Sequence, residues 1–252
     1  MSAWAHVAAG AAAVGAGVVN AIAGGGTLIS FPVLTALGVP SVRANATNTV
    51  SLCPGYIGGT YAQRRELEGQ REGLAPKLVA SAVGGLAGSI LLVATSEAAF
   101  RRAVPFLILV ATLLLAFQDR LRRALFENRE PGNPRHVVME VAAIGAASVY
   151  GGYFGAGLGI VTLAVLGLFS DLPFTRLNAV KQLISFTVNI FAAGFLMFSG
   201  KVAWSYVAVM APAALAGGNL GGRLAGVLKP ILLRRFVVAL GLVVAVVYFA
   251  KS

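Results

Sequence analysis

Two stripes of polar residues interrupt an otherwise apolar chain, and they are where chemistry is expected. Within each stripe, side chains that donate or accept hydrogen bonds recur three and four residues apart, which places them on one face of a helix. The stripes are Asn45, Asn48 and Ser51 in the first half of the chain and Asn178, Lys181, Gln182 and Ser185 in the second. Such a face inside an apolar protein can bind a small polar solute.

Lys181 is the charged side chain that an apolar stretch contains away from obvious loop ends. A cation inside a membrane is costly, so it usually marks a functional site. Near the first turn of a helix, its charge adds to the positive end of the helix dipole, and both favour an anion. The alternative is that Lys181 extends to the bilayer interface, because its helix begins only a few residues earlier.

Carboxylates are missing from the apolar stretches, apart from Glu140 near the start of its helix. A carrier coupled to protons or sodium usually needs a buried carboxylate. Two options follow for this chain: transport is uncoupled, or a proton travels on the solute.

Two glycine clusters each precede a short apolar segment: Gly24, Gly25 and Gly26, then Gly155 and Gly157. Glycine permits tight turns and close approach of a helix or ligand, and a broken helix frees N–H groups that need partners. We therefore predict that both clusters contribute to a solute site. The alternative is tight helix packing by small residues. A nucleotide-binding loop is excluded, because no Gly-Lys-Ser/Thr follows and no strand precedes.

The two halves of the chain repeat each other. The pattern P-x-x-R-x-N-A begins at Pro40 and again at Pro173, 133 residues later. With the same offset, the glycines at 84–88 match those at 217–221, and because no polar groups lie nearby, we interpret these as packing residues. Asn45 and Asn178 within the pattern are predicted to cap the helices that start there.

Composition indicates which elements position these residues. The chain has 252 residues, of which 58% are hydrophobic and 12% charged, against about 25% charged in soluble domains. The net charge of +11 comes from basic clusters between apolar blocks, a distribution typical of cytoplasmic loops rather than of a nucleic-acid surface. The single cysteine excludes an intramolecular disulfide and a multi-cysteine metal site.

Hydropathy predicts an all-α polytopic membrane protein with about eight full spans and two short membrane segments. The short segments are 26–38 and 157–170. We divide the chain into an N-terminal membrane repeat (1–118), a cytoplasmic linker (119–136) and a C-terminal membrane repeat (137–252).

The orientation of the repeats depends on whether the short segments cross the bilayer. If they cross, the halves are inverted, and 14 of the 20 Lys and Arg residues lie inside and 5 outside. If they re-enter, the halves are parallel, with 11 inside and 8 outside. The positive-inside rule favours inverted repeats, a known transporter construction with the solute near the midplane.

The runs Gly17–Leu34 and Asn45–Val50 resemble the TauE/SafE family of sulfite exporters, and residues 155–159 through 178–181 are similar to the second repeat of that family. The resemblance covers essentially the whole chain. It implies a permease for sulfur-containing anions such as sulfite, sulfonates, sulfoacetate or thiosulfate.

We therefore expect a bacterial inner-membrane transporter that exports a small oxyanion, most simply sulfite. The main alternative is an importer of sulfonate, sulfoacetate or thiosulfate on the same frame. An intramembrane enzyme would need motifs such as H-E-x-x-H or G-x-S-x-G, which the sequence lacks, and a scaffold would not need duplicated breaks and stripes. The expected partners are the anion and the lipid bilayer, with no cofactor, metal or nucleic acid; a homodimer stays open.

Overall fold

The protein is all-α in the computed structural model, which describes residues 3–22, 24–68, 73–126, 134–170, 172–224 and 230–251. These residues form ten α-helices, a short 3-10 turn at Arg64–Leu67 and no strand. The helices are α1 (Ala3–Ile22), α2 (Thr27–Ala36), α3 (Ser41–Ala62), α4 (Leu74–Ala94), α5 (Glu97–Phe126), α6 (Pro134–Tyr153), α7 (Leu158–Phe169), α8 (Phe174–Met197), α9 (Trp204–Leu224) and α10 (Pro230–Lys251). Eight of them have 20 to 30 residues, whereas α2 has 10 and α7 has 12. The predicted fold class, with eight long helices and two short ones, is confirmed.

Three of the described helices are long and apolar enough to cross a bilayer by length and composition alone: α1, α4 and residues Thr175–Met197 of α8. Helix α3 is equally long, but its asparagines, threonines and serines lower its mean hydropathy. Polar groups at the site thus weaken the hydropathy signal of the helix that carries them.

Helix α5 extends beyond its predicted span. It continues to Phe126, so the first residues of the predicted linker are helical, while residues 127–133 lie outside the described part. The segment 119–126 is rich in Arg and Leu, which favour helix in water as well as in lipid. Hydropathy locates the membrane-crossing part of a helix but not its end.

The fourth helix of each half packs against the other half. Helix α4 contacts α6 and α8, and α9 contacts α1 and α3. The fifth helix of each half also packs on the short helix of the other half: α5 packs on α7, and α10 packs on α2. For each of these helix pairs, the equivalent helices of the opposite halves form the same contact, as expected for a repeat with twofold pseudosymmetry.

Glycines make these contacts close. A Cβ atom added to Gly217, Gly218 or Gly221 would overlap the backbone of α1 or α3, and one added to Gly84 or Gly88 would overlap the backbone of α6. The prediction that both glycine groups serve packing is confirmed.

The contacts also fix relative helix directions. Along α1 and α9, Gly10 lies against Val209 and Gly17 against Gly218, so these helices run parallel. In contrast, the residue after α3, Gln63, is hydrogen-bonded to Asn178 in the second turn of α8. One turn earlier in α3, Gly59 lies against Gln182, one turn later in α8, so these two corresponding helices run antiparallel.

Candidate solute-binding site

Two glycines end the first long helix of each half. Gly24 has φ +82° and donates its N–H to the carbonyl of Val19 at 2.9 Å, while Gly155 has φ +78° and donates to Tyr150 at 3.4 Å. Such left-handed residues close a helix and turn the chain, and glycine adopts them without a steric cost. The chain then continues into the short helices α2 and α7.

The two breaks touch each other. A Cβ atom on Gly24 would lie 2.7 Å from the Cα of Gly159, in the first turn of α7. Gly26 is also confined, because its N–H binds the side-chain oxygen of Asn20 at 2.7 Å. The beginnings of α2 and α7 therefore come together inside the protein, as required for a shared site. Gly25 is buried between these glycines, and Gly157 has φ +75° at the start of α7.

The prediction that Asn45 and Asn178 cap their helices is wrong. Helix α3 begins after Pro40 and α8 after Pro173, so both asparagines lie in the second turn. Proline favours this earlier start, because its fixed φ suits the beginning of a helix. In α3, the first N–H groups, those of Ser41 and Val42, are bound instead by the carboxylate of Glu97.

The asparagines bind the ends of the broken helices instead. Asn45 donates its amide N–H to the carbonyl of Tyr153 at 2.8 Å, at the end of α6. Asn178 donates to the carbonyl of Ala21 near the end of α1 at 3.5 Å, and to the side-chain oxygen of Gln63 at 2.7 Å. Each asparagine thus holds the helix end of the opposite half, where carbonyls lack intrahelical partners.

Lys181 lies inside the protein. Its side chain is 1% exposed, and its ammonium donates to the carbonyl of Asn20 at 3.4 Å. Its aliphatic part passes beside Gly159. In the described part of the chain the recorded ion pair is Lys77–Glu140 at 2.7 Å, and Lys181 has no carboxylate partner there. The ammonium therefore sits at the helix breaks rather than at the protein surface.

Six of the predicted residues carry buried polar atoms without a hydrogen-bond partner among the described residues. These are Asn45, Asn48, Ser51, Asn178, Gln182 and Ser185. All six are at most 5% exposed. Buried polar atoms are nearly always bonded in native proteins, so these are groups that water or a solute would satisfy.

The structure brings some predicted residues together and leaves others apart. One group surrounds Asn20: Gly26 and Lys181 bind it directly, and Asn48 donates to Thr27 at 3.3 Å. A second group joins Asn178 to Gln63, and Gln182 lies beside Gly59 in α3. Ser51 and Ser185 lie near the middle of α3 and α8, and no recorded hydrogen bond from their hydroxyls links them to either group.

Gln63 was not predicted. It is 8% exposed, and its amide nitrogen has no described partner. In the sequence it precedes Arg64 and Arg65, a context typical of a solvated loop. Only the antiparallel packing of α3 and α8 places it in the interior.

A cavity opens beside the start of α3. It has a volume of about 500 Å³ and is lined by residues 37–40, Arg43 and residues 202–206. Thr47, one turn further along α3, accepts a hydrogen bond from the N–H of Ala203 at 2.9 Å. The cavity therefore lies next to the helix that carries Asn45 and Asn48.

Comparison with known proteins supports the resemblance to the TauE/SafE family. The family described as "Sulfite exporter TauE/SafE" matches residues 9–248. The probable membrane transporter protein YfcA of Escherichia coli K12 is 29% identical over 215 residues, which cover 83% of this chain and 76% of the relative. A probable membrane transporter protein of Haemophilus influenzae is 28% identical over 226 residues, or 88% and 86%. No solved structure matches. This chain is a multi-pass membrane transporter and belongs to the TauE/SafE sulfite exporter family.

Proposed function

We propose that this transporter carries a small sulfur-containing oxyanion, most simply sulfite, and that the anion binds where the two helix breaks meet. The observation that carries this proposal is the position of the buried Lys181, whose aliphatic chain passes beside Gly159 in the first turn of α7 and whose ammonium donates to the carbonyl of Asn20 at the end of α1. A helix start is the positive end of its dipole. The carbonyl of Asn20 offsets part of the lysine charge, and an anion shared between the ammonium and this helix start would offset the rest.

The beginning of α2 adds to the same field, because Gly24 contacts Gly159. The two helix starts and the side chain of Lys181 then meet, and the described residues supply no carboxylate partner for this lysine. An anion from solution would bind the ammonium and the free N–H groups together, which is how helix starts bind phosphate and sulfate. The buried hydroxyls and amides supply further hydrogen bonds.

We further infer that the halves are inverted. Helices α3 and α8 are equivalent in the repeat but run antiparallel. By the positive-inside rule, the 64–71 and 119–135 segments lie in the cytoplasm of a bacterial inner membrane. Arg43 and the cavity of about 500 Å³ then open on the outer side, where they form the mouth of the path.

The choice of sulfite and of outward transport rests on the description of the family. The experiment is flux of labelled sulfite across liposomes that contain the purified protein, with protein-free liposomes as the control. Thiosulfate, sulfoacetate and methanesulfonate are tested as competitors. Saturable sulfite flux supports the proposal. If sulfoacetate or thiosulfate inhibits the flux far more strongly than unlabelled sulfite does, that anion rather than sulfite is the substrate. The absence of any anion flux would overturn the proposal.

A further inference from the structure

The orientation of one asparagine amide is fixed by its partner. Asn45 directs its nitrogen to the backbone carbonyl of Tyr153 at 2.8 Å. A carbonyl only accepts hydrogen bonds, so the amide cannot turn over without losing this contact. Asn178 directs its nitrogen in the same way to the carbonyl of Ala21.

This arrangement leaves two acceptor oxygens. The side-chain oxygens of Asn45 and Asn178 have no described hydrogen-bond partner, although the residues are 0% and 5% exposed. A buried acceptor without a donor is destabilising. The interior therefore offers fixed acceptors as well as the donors around Lys181.

A fully deprotonated oxyanion fits such a site poorly. All its oxygens accept hydrogen bonds, so it satisfies Lys181 and the helix starts but is repelled by the asparagine oxygens. An anion that keeps one proton satisfies both kinds of group. Its proton binds an acceptor, and its remaining oxygens bind the ammonium and the N–H groups.

We propose that the transported species is a singly charged, monoprotonated oxyanion that donates a hydrogen bond to Asn45 or Asn178. For sulfite this species is hydrogensulfite. The inference rests on the proposed function and deepens it by naming the protonation state of the solute. Each transported anion then carries its own proton, so the protein needs no proton-binding carboxylate at the breaks.

Two of the ionisable side chains on the surrounding helices are already bonded to other groups. The buried or half-buried ones on the described parts of α1, α3, α6, α7 and α8 are His6, Cys53, Tyr56, Glu140, Tyr150, Tyr153 and Lys181. Glu140 is paired with Lys77, and Tyr150 donates its hydroxyl to the carbonyl of Ala156 at 2.6 Å. Lys181 supplies a positive charge.

The first test measures protons and sulfite together. Sulfite uptake is followed in proteoliposomes whose weakly buffered lumen is alkaline and contains a pH indicator. Hydrogensulfite that enters this lumen loses its proton, so we expect one proton released for each sulfite taken up, above the value in protein-free liposomes. Normal sulfite flux without acidification would show that the dianion is carried and would overturn this inference while leaving the proposed function intact.

The second test compares anions. Methanesulfonate has the same single negative charge as hydrogensulfite but no hydrogen-bond donor, because its methyl group is bound to sulfur and its three oxygens only accept. It should therefore compete with sulfite at least tenfold more weakly than unlabelled hydrogensulfite does. Equal competition would overturn the inference.

A variant links the preference to the acceptor oxygen. Asn45→Leu keeps much of the side-chain shape but removes the acceptor oxygen together with the N–H that binds Tyr153, so the preference for hydrogensulfite over methanesulfonate should shrink several-fold. Asn189→Leu is the matched control, since Asn189 is buried in α8 and its side chain binds Ser185 of its own helix and Tyr56 of α3 rather than a helix break. If Asn45→Leu does not fold, the stoichiometry and competition tests on the parent protein still decide.

Discussion

The substitution Lys181→Gln removes the one buried cation at the helix breaks while keeping a polar side chain of similar length. The ammonium makes one long hydrogen bond to Asn20, at 3.4 Å, and has no described carboxylate partner. Little folding free energy is therefore lost with the charge. An unpaired buried cation even opposes folding, so the amount of folded protein should not decrease.

Binding of the anion should respond strongly. A hydrogen bond to a charged group contributes about 1.5–3 kcal/mol. Because 1.4 kcal/mol corresponds to a factor of ten in affinity, losing this contact raises KM by about 10- to 150-fold. Solvent does not weaken this hydrogen bond, because Lys181 is 1% exposed. Lys181→Arg keeps the charge and should retain more activity than Lys181→Gln.

The assay is the initial rate of sulfite flux in proteoliposomes at matched protein density, over a range of sulfite concentrations. Lys201→Gln is the control, since this lysine is exposed in the loop before α9. If Lys181→Gln and the parent have the same KM and the same maximal rate, the ammonium does not bind the solute. The asparagines and the glycine breaks would then have to provide recognition without it.

Three further predictions concern the breaks, the topology and the cavity. Gly24→Ala should abolish folding or flux, because a left-handed conformation costs about 1–2 kcal/mol and the added methyl meets Gly159. Gly15→Ala, within α1 where the added methyl has free space, should leave both unchanged. With the single cysteine replaced by alanine, an impermeant reagent on intact cells should label Lys201→Cys but not Glu68→Cys; the opposite pattern would reverse the proposed sidedness. Arg43→Gln should lower flux several-fold at low salt and much less at high salt, because salt screens an exposed charge; a loss independent of salt would contradict steering by this residue.

Much of the fold could be predicted from the sequence because hydropathy and glycine patterns act locally. The short apolar segments before Pro40 and Pro173 became α2 and α7, and the small residues in α4 and α9 became close contacts. The stripe from Asn178 to Ser185 is buried, as a polar face needs to be if it lines a site inside the protein. Each of these features depends on residues within one or two turns of each other.

Contacts between the halves could not be predicted in this way. The cap assigned to Asn45 failed because α3 already begins after Pro40, and the group that Asn45 binds instead, the carbonyl of Tyr153, is 108 residues away along the chain. Gln63 was missed because its role depends on α8, whose first turns lie more than 100 residues later. A sequence pattern shows that a side chain can form a hydrogen bond but not which distant backbone group receives it.

The repeat is symmetric in position but not in charge. Lys181 occupies the place in α8 that Asn48 occupies in α3, 133 residues earlier. Asn48 binds Thr27 at the start of α2, while Lys181 binds the carbonyl of Asn20 in α1 and passes the start of α7. Lysines at both places would put two ammonium groups around the same pair of touching breaks, where they would repel each other. One lysine and one asparagine instead give a single positive charge together with an amide that can donate and accept. A site of that composition balances one negative charge, which agrees with a solute that enters as a monoprotonated anion rather than as a dianion.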